Sequence, residues 1–177
     1  MDRRRFLASG LATVGSALAG CAASPNVESY DIGMISGDFL PQSTISVPNS
    51  APAWVPRDIP TFETTVGTPV VWLNTGSREH TVTAATREHE QATALLGHPE
   101  ADHPGPRLPA GVSFFGSGGF DSEVSAVKSF IRNVNGGGVI PPGARYTHIF
   151  EKEGWYHYYC IPHEPAGMMG NIRVLTG

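Results

Sequence analysis

The chain has 177 residues, of which 40% are hydrophobic, with 21 Gly and 15 Pro. This length suits one domain with a full hydrophobic core, and the many Gly and Pro residues favour short strands and turns over long helices. The formal net charge is −4 with 12 Lys and Arg residues. Nucleic-acid binding requires clustered basic side chains, so we expect no nucleic-acid partner.

Residues 1–20 have the plan of an export signal. A basic start precedes an apolar stretch that is shorter than the ~20 residues of a bilayer-spanning helix. Residues 3–7 (RRRFL) resemble a twin-arginine signal, and residues 18–21 resemble a lipobox in which Cys21 is lipidated. The alternatives are a plain Sec signal with chance arginines, or cleavage without lipid. We expect an exported protein anchored by lipid to the extracytoplasmic face of the cell membrane, with residues 21–27 as a tether.

Residues 28–177 are predicted to form one domain, which begins as strands separated by turns. YDIGMIS is predicted to be the first strand, and residues 39–41 and STISV follow after a turn. The Pro-rich residues 48–60 are predicted to be a loop. The segment TFETTVGTPVVWLN has the pattern of a hairpin with Gly67 at its turn. The segment HTVT, which starts at His80, is predicted to begin the next strand.

Residues from about 84 to 120 interrupt this pattern with a Pro-rich, partly helical insertion. TREHEQATALLG is predicted to be a short helix closed by Gly97, and HPEADHPGPRLP has too many prolines for regular structure. Residues 122–134 have apolar side chains at helical spacing, with Asp121 or Ser122 as N-cap and Asn135-Gly136 as a stop. The same apolar residues would also suit a distorted strand.

The C-terminal part returns to a strand pattern. Residues 144–151, 155–160 and 169–175 are each predicted to be strands. The sequence therefore predicts an all-β protein, an antiparallel β-sandwich or barrel that carries the insertion.

Four side chains indicate a metal site. Cys160, His163 and Met168 lie within nine residues in YYCIPHEPAGMMG, and His80 lies upstream in WLNTGSREHTV. One thiolate, two imidazoles and a thioether are the ligands of a type 1 (blue) copper site. The thiolate suits Cu(I), the imidazoles suit both oxidation states, and a weak axial thioether discourages tetragonal Cu(II) geometry. Four protein ligands leave no position for a substrate, so we predict a one-electron carrier and not an enzyme.

The strand before Cys160 indicates which neighbours share its face. Side chains alternate along a strand, so Tyr156 and Tyr158 are expected to face the interior with Cys160. Tyr159 is then expected to point outward and to be exposed, as a second exit for the electron. The alternative is that Tyr159 only packs against a neighbouring strand.

Residues next to the ligands are expected to tune the site. Pro162 has no N–H and cannot donate a hydrogen bond to the cysteine sulfur. The hydroxyl or backbone of Thr81 is a candidate to hold the ligand loop in place. Met169, which is adjacent to Met168, is a competing axial ligand. With Cys21 lipidated, Cys160 would be an unpaired thiol in an oxidising compartment, which a metal would occupy.

The segments YCIPHEPAGMMGNIRV and NTGSREHTV resemble the copper-site segments of the plastocyanin family. With the signal and lipobox, the chain most resembles the halocyanins, membrane-anchored plastocyanin-like proteins of halophilic archaea. The resemblance covers roughly residues 28–82 and 112–177 and implies a cupredoxin Greek-key β-sandwich. It implies one type 1 copper ion held by the four ligands named above. It also implies that His163 is the solvent-edge ligand, which exchanges electrons with redox proteins of a respiratory or other electron-transport chain.

Two other functions are alternatives to a one-electron carrier. A copper-binding module for delivery or storage is the main alternative, but it predicts an open, methionine-rich site, and the chain has four Met. A copper enzyme would need paired His-x-His motifs, which this sequence lacks. His98 and His103 could form an accessory metal site with Glu100 or Asp102, although a solvated loop is favoured. Three further histidines are interpreted as surface or strand residues without a role: His89, His148 and His157.

Overall fold

The computed structural model describes residues 29–97, 107–134, 136 and 138–177. Within these ranges the chain forms eight strands and two α-helices. The strands are β1 Ile32–Ile35, β2 Asp38–Pro41, β3 Thr61–Thr65, β4 Pro69–Asn74, β5 Thr83–Ala84, β6 Arg145–Ile149, β7 Gly154–Tyr159 and β8 Met169–Leu175, and the helices are α1 His89–Leu95 and α2 Glu123–Arg132. No helix in this part of the chain is both long and apolar enough to cross a membrane.

The strands form two four-stranded sheets, in the orders β2-β1-β4-β6 and β3-β8-β7-β5. The predicted β-sandwich is therefore confirmed. The pairing is not antiparallel throughout, because β1 runs parallel to β4 and β3 runs parallel to β8. Residues 43–47, which were predicted to continue as a strand, form none.

The predicted hairpin over residues 61–74 is wrong. Gly67 does lie at a turn, with a positive φ of 81°, but β3 joins the second sheet and β4 joins the first. The turn therefore carries the chain across the sandwich. Phe62 from one sheet and Trp72 from the other then belong to the same core cluster. Because the two strands lie in facing sheets, both apolar side chains are removed from water, and this burial stabilises the crossing.

Both predicted helices of the insertion are confirmed. Helix α2 begins after Ser122, whose hydroxyl accepts a hydrogen bond from the backbone N–H of Ser125 at 3.2 Å, as an N-cap should. Helix α1 is followed by Gly97 in a left-handed conformation. The two helices pack on each other and α2 packs on β5, which forms a second hydrophobic cluster outside the main sandwich core.

Several sequence-based predictions fall outside the described residues. These are the signal at 1–20, the tether at 21–27 with Cys21, and the accessory site at His98 and His103 with Glu100 or Asp102.

Candidate metal centre

Three donor side chains meet at one end of the sandwich. Cys160 directly follows β7, His163 lies three residues further in the loop before β8, and His80 ends the loop after β4. Their ligand atoms all lie within 4.8 Å of one another. The Cys160 Sγ atom is 3.7 Å from Nδ1 of His80 and 3.4 Å from Nδ1 of His163. The structure thus brings together three of the four predicted ligands as a compact S, N, N donor set.

A buried amide holds the loop that carries His80. Asn74, at the end of β4, donates from Nδ2 to the carbonyl oxygens of Arg78 at 2.7 Å and Ile140 at 2.8 Å. The backbone N–H of Ile140 in turn donates to the carbonyl oxygen of His80 at 2.7 Å. Asn74 was not among the residues predicted for the site. A polar residue that ends an apolar strand shortly before a predicted ligand was the available signal.

Thr81 links the two ligand-bearing segments. Its backbone N–H donates to the Cys160 sulfur at 3.3 Å, and its hydroxyl accepts from the backbone N–H of Ile161 at 2.8 Å. Thr81 is completely buried, so these bonds are shielded from competition by water. Pro162 is exposed and carries no N–H, so its backbone donates no hydrogen bond to the sulfur.

Met168 lies in the same loop as Cys160 and His163, and backbone hydrogen bonds within the loop hold it closed. The Cys160 N–H donates to the Met168 carbonyl oxygen and the Met168 N–H donates to that of His163, both at 3.1 Å. Met168 is fully buried in the core cluster that contains Cys160, whereas Met169 packs on the second cluster. This division favours Met168 over Met169 as the fourth residue that would hold the metal, and ligation by Met168 stays a prediction.

Burial keeps the donors neutral without a metal. Desolvation raises the pKa of the Cys160 thiol to about 12, although hydrogen bonds from Thr81 oppose this rise. Desolvation lowers the pKa of His80 to about 4, and His163 and Arg78 add to the effect. The pKa of His163 is also lowered, by burial and then by Arg78. The site therefore offers free imidazole nitrogens and a thiol that a thiophilic cation would deprotonate, which fits copper.

The position of Tyr159 differs from the prediction. Tyr156 and Tyr158 share the core cluster of Cys160, and Tyr159 lies on the other face, so the predicted alternation is confirmed. The predicted exposure is wrong, because Tyr159 is 0% exposed. The helices of the insertion cover this face of the second sheet, and strand alternation alone does not reveal such a cover.

Two histidines that were interpreted as having no role are buried. His89 is 2% exposed, with Glu123 and Glu164 at its two ring nitrogens. His157 is 1% exposed, and its Nδ1 lies 3.0 Å from Oδ1 of Asn171. The interpretation as a surface residue is therefore wrong for His89, which is buried at the start of α1, whereas His157 is a strand residue of β7, as expected, but a buried one.

A buried cysteine and two histidines at one end of a two-sheet sandwich define a cupredoxin with a mononuclear copper site. Residues 58–175, more than half of the chain, match the sequence profile of the copper binding proteins of the plastocyanin/azurin family, and the chain belongs to this family.

Individual relatives match shorter stretches. The plastocyanin of Scenedesmus fuscus is 48% identical over 33 residues, which cover 19% of this chain and 34% of that protein. The chloroplastic plastocyanin of Tetradesmus obliquus is also 48% identical over 33 residues, which cover 23% of its length. The matched stretch is thus about a third or less of the curated relatives' length.

Solved structures also match this chain. The amicyanin of Paracoccus versutus has a TM-score of 0.41 and 15% identity, with 87% of each chain covered. A purple cupredoxin from Nitrosopumilus maritimus has a TM-score of 0.35 and 22% identity, with 65% of this chain and 77% of the other covered.

Proposed function

We propose that this protein is a one-electron carrier that works through a single type 1 copper ion. The observation that carries the proposal is the convergence of His80, Cys160 and His163 in a site that hydrogen bonds hold in place. Copper supplies the one-electron redox chemistry when bound. The chain supplies ligands that Cu(I) and Cu(II) both accept, in a frame that resists rearrangement between them.

His163 is the exit for the electron in this proposal. It is partly exposed, whereas His80 and Cys160 are completely buried. The tyrosine beside the thiolate is buried under the helices, which removes it as a surface contact for a partner. Redox proteins of a respiratory or other electron-transport chain would therefore dock over the His163 edge, where Pro162 and residues 165–167 are exposed.

The burial of the ligands favours a carrier over a copper-delivery module. Delivery requires a site that exchanges its ion readily, and this needs ligands open to a partner. In the described part of the chain, one cluster of three or more potential metal-ligating residues is found, and two of its three members are buried. An enzyme would need an open coordination position or a second metal, so we propose that the protein has no catalytic activity.

An absorption spectrum of the copper-loaded domain tests the function. We expect an intense blue thiolate-to-copper band and reversible one-electron voltammetry, and both should be lost in Cys160→Ser. A Cys21→Ser variant of the full chain is a matched control, because it removes the other thiol and should keep the colour. A colourless wild-type domain with cupric ion would overturn the proposal.

We further propose that the protein is exported and held at the outer face of the cell membrane by lipid on Cys21. The lipobox-like residues 18–21 support this. In cells, the full chain should sediment with membranes, and Cys21→Ser should release the mature protein. A wild-type protein that stays in the soluble fraction would contradict the lipid anchor.

A further inference from the structure

A row of three buried ionisable side chains lies beside the metal loop. His89, at the start of α1, is bonded through Nδ1 to the carboxylate of Glu123 in α2. Its Nε2 lies 3.0 Å from Oε1 of Glu164. Glu123 is 0% and Glu164 is 6% exposed. The imidazole thus joins two acidic groups that are far apart in the sequence.

Each end of this row is tied to a different part of the molecule. At one end, the second carboxylate oxygen of Glu123 accepts hydrogen bonds from Thr86, from its N–H at 2.7 Å and its hydroxyl at 2.8 Å. At the other end, Glu164 directly follows the ligand His163, and its N–H donates to the carbonyl oxygen of Cys160 at 2.8 Å. A continuous set of bonds therefore runs from the helical insertion to the ligand loop.

Simple packing does not explain why such groups are buried here. A buried carboxylate loses its hydration, and this loss is costly unless hydrogen bonds or ion pairs replace it. Apolar side chains of similar size would attach the helices to the sheet as firmly. Hydrogen bonds are directional, whereas apolar contacts are not. Because each nitrogen of the planar His89 ring bonds to a different carboxylate, the ring fixes the position of Glu164 relative to Glu123.

We propose that His89 is a positioning residue for the copper site. It holds Glu164, and thereby the backbone of His163, against the helical insertion. The helices at 89–95 and 123–132 then act as an external brace for the loop that carries the partly exposed copper ligand. The inference rests on the proposed copper site, but the brace itself exists in the metal-free chain.

Hydrogen exchange on the copper-free protein tests the brace. In His89→Gln, amides in residues 161–168 should exchange about tenfold faster than in the wild type, because one buried anchor of the loop is lost. His157→Gln is the matched control, since it removes another buried histidine, whose Nδ1 lies 3.0 Å from Oδ1 of Asn171 in β8. Equal loop exchange in the two variants would overturn the proposal.

Copper retention supplies a second readout. Release of copper to a chelator should be about tenfold faster in His89→Gln, as when groups that orient metal ligands are removed. The Cu(II) electron paramagnetic resonance spectrum should also change, and His157→Gln should match the wild type in both. If His89→Gln does not fold, Glu123→Gln tests the same row, because glutamine has nearly the shape of glutamate. Wild-type exchange of the loop amides in Glu123→Gln would also overturn the proposal.

The two proposals fail in different ways. A wild-type protein that stays colourless with copper refutes the electron carrier, while hydrogen exchange still decides whether the brace exists. A blue wild type with wild-type loop exchange and copper release in His89→Gln refutes the brace alone.

Discussion

The hydroxyl of Thr81 should contribute measurably to stability, and Thr81→Val removes it with little change of shape. In the wild type this oxygen accepts the Ile161 N–H at 2.8 Å and lies 3.2 Å from the Thr83 hydroxyl. The substitution leaves a buried amide without an acceptor, which costs about 1–3 kcal/mol. For a chain of this size, a loss of about 2 kcal/mol lowers Tm by about 4–8 °C.

Urea or thermal unfolding of the copper-free protein measures this effect. Thr83→Val is the control, because it removes the other hydroxyl and leaves the Ile161 bond intact, so it should cost about 1 kcal/mol or less. Thr81→Ser retains an oxygen at the same place and should recover most of the loss. If the free energy of unfolding of Thr81→Val lies within about 0.5 kcal/mol of the wild-type value, the hydrogen bond to Ile161 does not contribute the predicted stability.

Four further outcomes follow from the structure. Pro162→Ala, which can restore an amide donor near the sulfur, should raise the reduction potential, and an unchanged or lower value by voltammetry would contradict this. Tyr159→Ala should destabilise the protein by about 3–4 kcal/mol, whereas a loss under about 0.5 kcal/mol would indicate an exposed ring. Burial raises the pKa of Cys160 to about 12, so copper binding near neutral pH must release the thiol proton. The affinity for copper should then rise about tenfold per pH unit over about pH 7–9. Calorimetry in buffers of different ionisation enthalpy measures the proton released, and no release would mean that the thiol is already ionised. Gly138→Ala should cost about 3 kcal/mol or more in chemical denaturation, because an added Cβ would lie 2.0 Å from the Ser117 carbonyl oxygen at a φ of +79°. A near-neutral effect would mean that the turn relaxes.

The ligands of the metal loop could be predicted because they lie close together in the sequence. Cys160, His163 and Met168 lie in one short segment, and a tight loop brings such near neighbours together whatever surrounds them. The alternation of Tyr156, Tyr158 and Cys160 follows from strand geometry alone. The start of α2 at Ser122 likewise depends on a side chain that caps its own helix.

Sheet membership was not local. The segment 61–74 has the pattern of a hairpin, and its turn at Gly67 is real, yet β3 and β4 belong to different sheets. Either arrangement satisfies the turn and the alternation of apolar residues. The choice depends on β8 and β6, which lie far away in the sequence and offer each strand its partner.

The sequence by itself therefore determined the ligand loop from Cys160 to Met168, the strand faces beside Cys160 and the start of α2, because each depends on residues that lie close together in the chain. Only the tertiary structure decided what covers the outer face of the second sheet. The contacts of His89 with Glu123 and Glu164 span 34 and 75 positions, and Tyr159 is buried by helices that the pattern of its own strand does not reveal. Burial is a property of what packs on a residue, and for this face the packing partner comes from an insertion distant in the chain.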